Sequence, residues 1–245
     1  SAIQEKTALR MGSLSGGSRD NVIPSQARAD IWVEKAESAH LAIEEMVQVL
    51  QREFQISDPG LSVSVESVQL DEAYTQDLTK RLLHFFSLLP NGVQTLSPDI
   101  EGLVQTSLNN AVLFEKEGYL VLQTSLRSSK SSQLEELADQ LKQLAESAGG
   151  SYLRQNDYPS WDFEVDSPLR DQCLAVYKEV YGQEARYDAV HAGLECGFLK
   201  KALPECDMIS YGPNIYDVHS TKEHLEIDSL ARVWAFTKAL LASMR

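Results

Sequence analysis

Two short apolar runs, each cut off by glycine, constrain this chain more than anything else in it. The first, Tyr187 to His191, ends at Ala192-Gly193, and the second, Met208 to Tyr211, ends at Gly212-Pro213. Apolar runs that stop at Gly or Gly-Pro read as buried strands that deliver polar residues to one edge of a sheet. In open α/β sheets ligands bind at that edge. Between Tyr187 and Asp228 the chain also carries three of its five histidines. His191, Glu195 and His219 are therefore expected on one rim.

The residues before this stretch have a different texture. Thr7–Leu14 and Ala27–Val33 alternate and are expected as strands, separated by the turn Ser15-Gly16-Gly17-Ser18 and the loop Arg19-Asp20-Asn21-Val22-Ile23-Pro24. From Glu34 to Phe54 apolar residues recur every three or four positions, which predicts an amphipathic helix. Leu61, Val63, Val65 and Val68 predict a strand, and Leu78–Leu89 a second helix stopped by Pro90-Asn91-Gly92. Strands are expected over 103–114, broken near Asn109-Asn110, and over 119–126, with Glu117-Gly118 turning between them. A third helix, Ser132–Ala148, and a short strand over 151–155 follow. The order strand, long helix, strand after an Asn-bearing loop occurs twice, in 15–68 and 106–155. Such paired units make an antiparallel sheet backed by helices, a ferredoxin-like arrangement, here duplicated.

Asp157-Tyr158-Pro159-Ser160-Trp161 changes the texture, so the expected domains are 1–158 and 159–245. Ser167-Pro168 reads as an N-cap with proline at the first helical position. Leu169, Cys173, Val176, Tyr177 and Val180 form a helical stripe ending at Gly182. A strand over 187–191, a short helix over 197–203, a strand over 206–211 and a last helix capped by Asp228 complete a parallel α/β pattern. Two strands are too few to bury both faces of a sheet, so this is expected to be part of a larger α/β domain.

Composition excludes several classes. A net charge of -14 argues against nucleic acid, whose phosphates are bound by clustered Lys and Arg. No run of 18 apolar residues exists and the start is not basic-then-apolar, so neither a membrane span nor a signal peptide is expected. Three cysteines without C-x-x-C spacing suggest reduced thiols in a cytosolic protein. Cys196 reads as a small buried hydrophobe rather than a nucleophile.

The run His191-Ala192-Gly193-Leu194-Glu195-Cys196-Gly197, followed by Ser210-Tyr211-Gly212-Pro213-Asn214-Ile215 and then His219-Ser220, resembles the C-terminal signature of the aminoacyl-histidine dipeptidases. These are carnosinase-like zinc metallopeptidases. The resemblance runs from about Leu14 to the last helix but covers only the later part of the family's length. It implies that 1–158 is a lid domain, N-terminally incomplete, and 159–245 the C-terminal segment of the catalytic domain. It further implies a dipeptide substrate, two zinc ions in the complete enzyme, a missing N-terminal catalytic portion and a cytoplasmic location.

The same resemblance implies site residues. His219 matches a histidine that completes one of the two zinc sites. Asn21, in R-x-N-x-I-P, resembles the lid asparagine that contacts substrate. Arg127 resembles the lid arginine that grips the dipeptide's C-terminal carboxylate, a task that suits a guanidinium's parallel donors. Gly193 lets backbone N–H groups approach a ligand closely, or is an ordinary strand-end turn. His191 and Glu195 are pocket candidates, His191 equally well a packed, hydrogen-bonded histidine. The family's catalytic base and remaining ligands lie around an H-x-D motif, and none of the five histidines is followed by x-Asp. No catalytic residue is therefore assigned, and at most one zinc ligand. The expectation is a piece of a longer enzyme that hydrolyses Xaa-His dipeptides and is inactive alone. Two other readings stay open: a non-catalytic lid or dimerisation module forming a homodimer, and a related aminoacylase or tripeptidase.

Overall fold

The first strand buries Leu9 and Met11 two residues apart and then Leu14 three further on. A pleated strand alternates with period two, so that extra step requires one residue to be looped out. In the computed structural model of the chain, which describes residues 2–189, 194–218 and 220–244, this is what happens. After a short helix α1 (Ala2–Lys6), strand β1 (Leu9–Gly16) pairs antiparallel with β2 (Ala27–Val33), Met11 opposite Ile31 but Leu14 opposite Ala29. Gly12 and Ser13 of β1 thus face Asp30 alone on β2, a β-bulge. The Met11 backbone is satisfied away from β2 there. Its N–H donates to the Thr79 hydroxyl at 3.1 Å, and its carbonyl accepts from the Tyr74 amide at 2.7 Å. Thr79 is fully buried on α3 (Gln76–Leu88), a helix whose N-cap Thr75 accepts from Leu78 N–H.

The sheet has five strands: the order β2, β1, β4 (Val104–Lys116), β3 (Gly92–Leu96), with β5 (Tyr119–Ser128) also paired to β4. Glu117 at φ 52° and Gly118 at φ 80° make the tight β4–β5 turn. Helices α2 (Ala36–Glu53) and α4 (Ser131–Ser147) bury Ala39 and Ala42, and Leu137, Ala138 and Leu141. A hairpin followed by a helix therefore occurs twice, as β1–β2–α2 and β4–β5–α4. Gly17 ends the first strand at φ +69°, where an added Cβ would stand 1.8 Å from the Ala111 carbonyl oxygen.

By contacts the chain divides into two units. One comprises Ser1–Gln94, Ser107–Leu126 and Leu134–Arg154; the other comprises Thr95–Thr106, Arg127–Gln133 and Gln155–Arg245. In the second unit α5 (Pro168–Tyr181) packs on α7 (Ile227–Ser243) around Cys173, Val176, Phe236 and Leu240. Leu169, Tyr177, Tyr181, Ile209 and Ala239 join that cluster. Between these helices in sequence come α6 (Glu195–Ala202) and a two-stranded antiparallel ladder of β6 (Ile215–Tyr216) and β7 (His224–Leu225). No helix among the described residues is long and apolar enough to cross a membrane.

Several expected elements differ. The alternating segment 61–68 and the segment 151–155 belong to no strand, and Val63, Val65 and Val68 are 46–49% exposed. Alternation marks a two-faced segment but does not supply a neighbour for its backbone groups. Residues 187–189 and 206–211 likewise join no ladder among the described residues. β4 runs unbroken through Asn109-Asn110, because both side chains bond outside their own strand: Asn109 to the Val22 carbonyl and Asn110 to the Pro90 carbonyl, each at 2.9 Å. The short helix starts at Glu195 rather than 197, and Glu226, not Asp228, is the N-cap of α7.

Candidate functional site

Asn21 lies in the first unit, exposed in a turn closed by Val22 N–H on the Arg19 carbonyl at 3.3 Å. The Asn109 side chain donates to the Val22 carbonyl, so the middle of β4 holds the loop that presents Asn21. Sequence reasoning took Asn109 for a strand breaker. Its role depends on a residue 87 positions away, which no local pattern reveals.

Arg127 lies in the second unit, exposed at the next-to-last position of β5. The strand end around it is held from below. Ser129 N–H donates to the Gln105 carbonyl at 3.1 Å, and the Ser128 hydroxyl shares a 2.8 Å hydrogen bond with Thr106. Gln133, on the first turn of α4, accepts from Thr95 at 2.8 Å, from Gln105 at 3.1 Å and from Thr106. Gln105 and Thr106 are 5% and 2% exposed, and a buried polar group without a partner costs about 1–3 kcal/mol. One glutamine oxygen thus satisfies three donors and fixes the backbone that carries Arg127.

Glu195 is exposed in the first turn of α6. The Tyr158 phenol is pushed up by burial, then by the charges of Glu195 and Cys196. The signature residue Gly197 is buried, and an added Cβ would stand 2.5 Å from the Pro159 carbonyl oxygen. That part of the signature is a packing requirement. Cys173, Cys196 and Cys206 are all free thiols.

His191, Gly193 and His219 lie outside the described residues. On either side of position 219 in sequence, Ile215 pairs with Leu225 and Tyr216 with His224 in the β6–β7 ladder. Below the ladder Glu226 accepts the Asn214 side-chain amide at 2.7 Å and the Tyr216 hydroxyl at 3.2 Å, and its own N–H donates to the Asn214 carbonyl at 3.0 Å. Asn214 N–H in turn donates to the Ser229 hydroxyl at 2.9 Å. The Asn214 and Tyr216 donors hold the Glu226 carboxyl below its usual range against the upward pull of desolvation, with Arg232 adding to them. Glu226 sits in the charged run 222–226, which reads from sequence as a solvated approach to a helix. Its carboxylate nevertheless meets Asn214, twelve residues earlier in sequence.

A cleft of about 930 Å³ opens within the second unit beside the α5–α7 core. Arg170, Tyr187, Ser210, Asn214, Arg232 and Phe236 are among its lining. Arg170 is engaged through both terminal nitrogens: it donates to the Glu164 and Val165 carbonyls at 2.7 and 2.6 Å and lies 5.1 Å from the centroids of Phe163 and Tyr187. Among the described residues no group of three or more His, Cys, Asp and Glu side chains is placed to hold a metal ion.

The fold is a mixed α/β one in which an antiparallel sheet is backed by helices. It matches the crystal structure of aminoacylhistidine dipeptidase from Vibrio alginolyticus with a TM-score of 0.90 and 30% identity, over 98% of this chain and 50% of that one. In sequence the chain is 30% identical over 243 residues to the cytosol non-specific dipeptidase of Escherichia coli, over 97% of this chain and 50% of the relative. No protein-family model matches. The chain is thus a relative of these dipeptidases, which are peptidase enzymes, and it spans about half their length. The resemblance carried by 191–197 and 210–220 extends along nearly the whole chain.

Proposed function

We propose that this chain is the lid and the C-terminal catalytic segment of a zinc-dependent, cytoplasmic dipeptidase that cleaves Xaa-His dipeptides as part of a longer enzyme. The observation that carries this reading is the match of almost the entire chain to half the length of two dipeptidases. In this reading Arg127 takes the substrate's C-terminal carboxylate through two parallel N–H donors. Asn21, on its pinned turn, hydrogen-bonds the substrate backbone, and the Gly193 amide approaches the scissile group. The described residues do not fit a metal centre by themselves, so a resident zinc takes its ligands from beyond them, His219 among them. The chain on its own is accordingly inactive.

A chimera tests this reading. The chain, joined to the part of the Escherichia coli dipeptidase that it does not match, is purified with zinc and offered Xaa-His dipeptides, tripeptides and N-acyl amino acids. Hydrolysis of the dipeptides by the chimera, and of none by the chain alone, is expected. Preference for N-acyl amino acids or tripeptides, or no hydrolysis at all, contradicts it.

A further inference from the structure

The donors that converge on Gln133 have a direction. Its side-chain oxygen accepts from the Thr95 hydroxyl at 2.8 Å, from the Gln105 side-chain amide at 3.1 Å and from the Thr106 hydroxyl. An amide oxygen has two lone pairs, so a third donor uses this acceptor to capacity. A hydroxyl has a single proton, and that of Thr106 goes to Gln133. The 2.8 Å bond between Thr106 and Ser128 is therefore donated by Ser128. Ser128 in turn accepts the Lys130 N–H at 3.0 Å. A one-way chain thus runs from the Lys130 amide through Ser128 and Thr106 and ends on the Gln133 oxygen.

Arg127 immediately precedes the two residues that this chain ties down. Ser128 is held by its side chain to Thr106, and Ser129 by its N–H to the Gln105 carbonyl at 3.1 Å. Gln105 and Thr106 are both buried, so without the Gln133 oxygen their donors have little water to turn to and must reorient. The Thr106 proton is then free to point at Ser128, which reverses or breaks the link that fixes the strand end. Recognition of a carboxylate by two parallel N–H bonds tolerates little displacement of the guanidinium.

We infer that Gln133 is a positioning residue for Arg127: by terminating this hydrogen-bond chain it holds the end of β5 in register, and through the arginine it governs the preference for a free C-terminal carboxylate. This rests on the proposed function for the role of Arg127. It adds the residue that keeps the arginine in place.

The test is steady-state kinetics of the chimera on glycyl-histidine and on glycyl-histidine amide. Gln133→Leu removes the acceptor and should lose roughly tenfold in kcat/KM on the free dipeptide, mostly as a higher KM, and almost nothing on the amide. Gln133→Glu keeps an acceptor oxygen and should restore most of that loss. In an Arg127→Met background Gln133→Leu should cost nothing further, because a residue that acts through another is silent once the other is gone. Ser128→Ala breaks the chain one link earlier, at a half-buried position. It should show the same selectivity, roughly threefold, and decides the matter where Gln133→Leu does not accumulate. An active chimera in which these variants lose both substrates alike, lose nothing, or still lose in the Arg127→Met background overturns the inference and leaves the proposed function standing. A wild-type chimera that cleaves neither substrate removes the proposed function, and this inference with it.

Discussion

The Ser167 hydroxyl donates to both carboxylate oxygens of Asp207, at 2.8 and 2.9 Å, while its oxygen caps α5 by accepting from Arg170 N–H at 3.1 Å. Asp207 also takes the Leu169 amide at 2.9 Å, so a carboxylate 40 residues away in sequence completes the helix start. Burial pushes the Asp207 carboxyl up. The Leu169 and Met208 amides, the Ser167 hydroxyl and the Lys200 charge outweigh it and hold the group below its ordinary value.

Removing either partner should loosen the second unit. Ser167→Ala and Asp207→Asn are each expected to cost about 1–2 kcal/mol, read as a lower urea midpoint. Because the folded pKa is lowered, the Asp207 contribution is complete above the unfolded value of about 3.9 and is lost as pH falls through the folded value. Wild-type stability should therefore decline below about pH 4, and Asp207→Asn should decline less over the same interval. An Asp207→Asn variant with the wild-type acid profile would refute the assignment.

At the other end of the pH scale, the Tyr74 hydroxyl bonds the Glu115 carboxylate. Burial first, and then that carboxylate, push the phenol up to about 12. In an alkaline titration of phenolate absorbance, the last of the nine tyrosines to ionise should vanish in Tyr74→Phe, while the raised Tyr158 phenol remains. The sign for stability follows: the unfolded phenol releases its proton near 10 and the folded one near 12. The Tyr74 contribution is present below about pH 10 and disappears as pH rises toward 12.

Two glycines are expected to resist substitution for different reasons. Gly197→Ala places a methyl 2.5 Å from the Pro159 carbonyl oxygen within a helix that otherwise tolerates alanine. The cost should be about 1–3 kcal/mol, with α6 displaced. Gly17→Ala adds an unfavourable φ of +69° to a 1.8 Å clash with the Ala111 oxygen, and the expected result is failure to accumulate as folded protein. Thermal melts and soluble yield of the two variants check both statements.

What sequence reasoning could see was local. The helices were legible because their stripes, such as Leu134, Leu137, Ala138 and Leu141, repeat within a turn. Ser167-Pro168 announced its helix start for the same reason, though nothing pointed to Asp207 as the second partner. The turn at Glu117-Gly118 was readable from its residues alone. Strands were harder. Leu61–Val68 alternates as well as β1 does, yet only β1 finds neighbours, and pairing is decided by distant chain. β3 and the β6–β7 ladder were missed because two to five polar or mixed residues carry no period of their own. The candidate site split along the same line. Asn21 and Arg127 stood out through resemblance, whereas Asn109, Gln133 and Glu226, which hold the segments around the candidate residues, act over separations or through geometry that no window spans. His191, Gly193 and His219 fall outside the described residues.

The most direct measurement is the release of histidine from glycyl-histidine by the zinc-loaded chimera, wild type against Arg127→Met, with glycyl-histidine amide as a second substrate. The account predicts that the wild type cleaves the free dipeptide, that Arg127→Met loses roughly thirty- to hundredfold in kcat/KM on it, and that the amide is cleaved nearly equally by both. A wild-type chimera that releases no histidine, or an Arg127→Met variant that loses nothing on the free dipeptide, would contradict it.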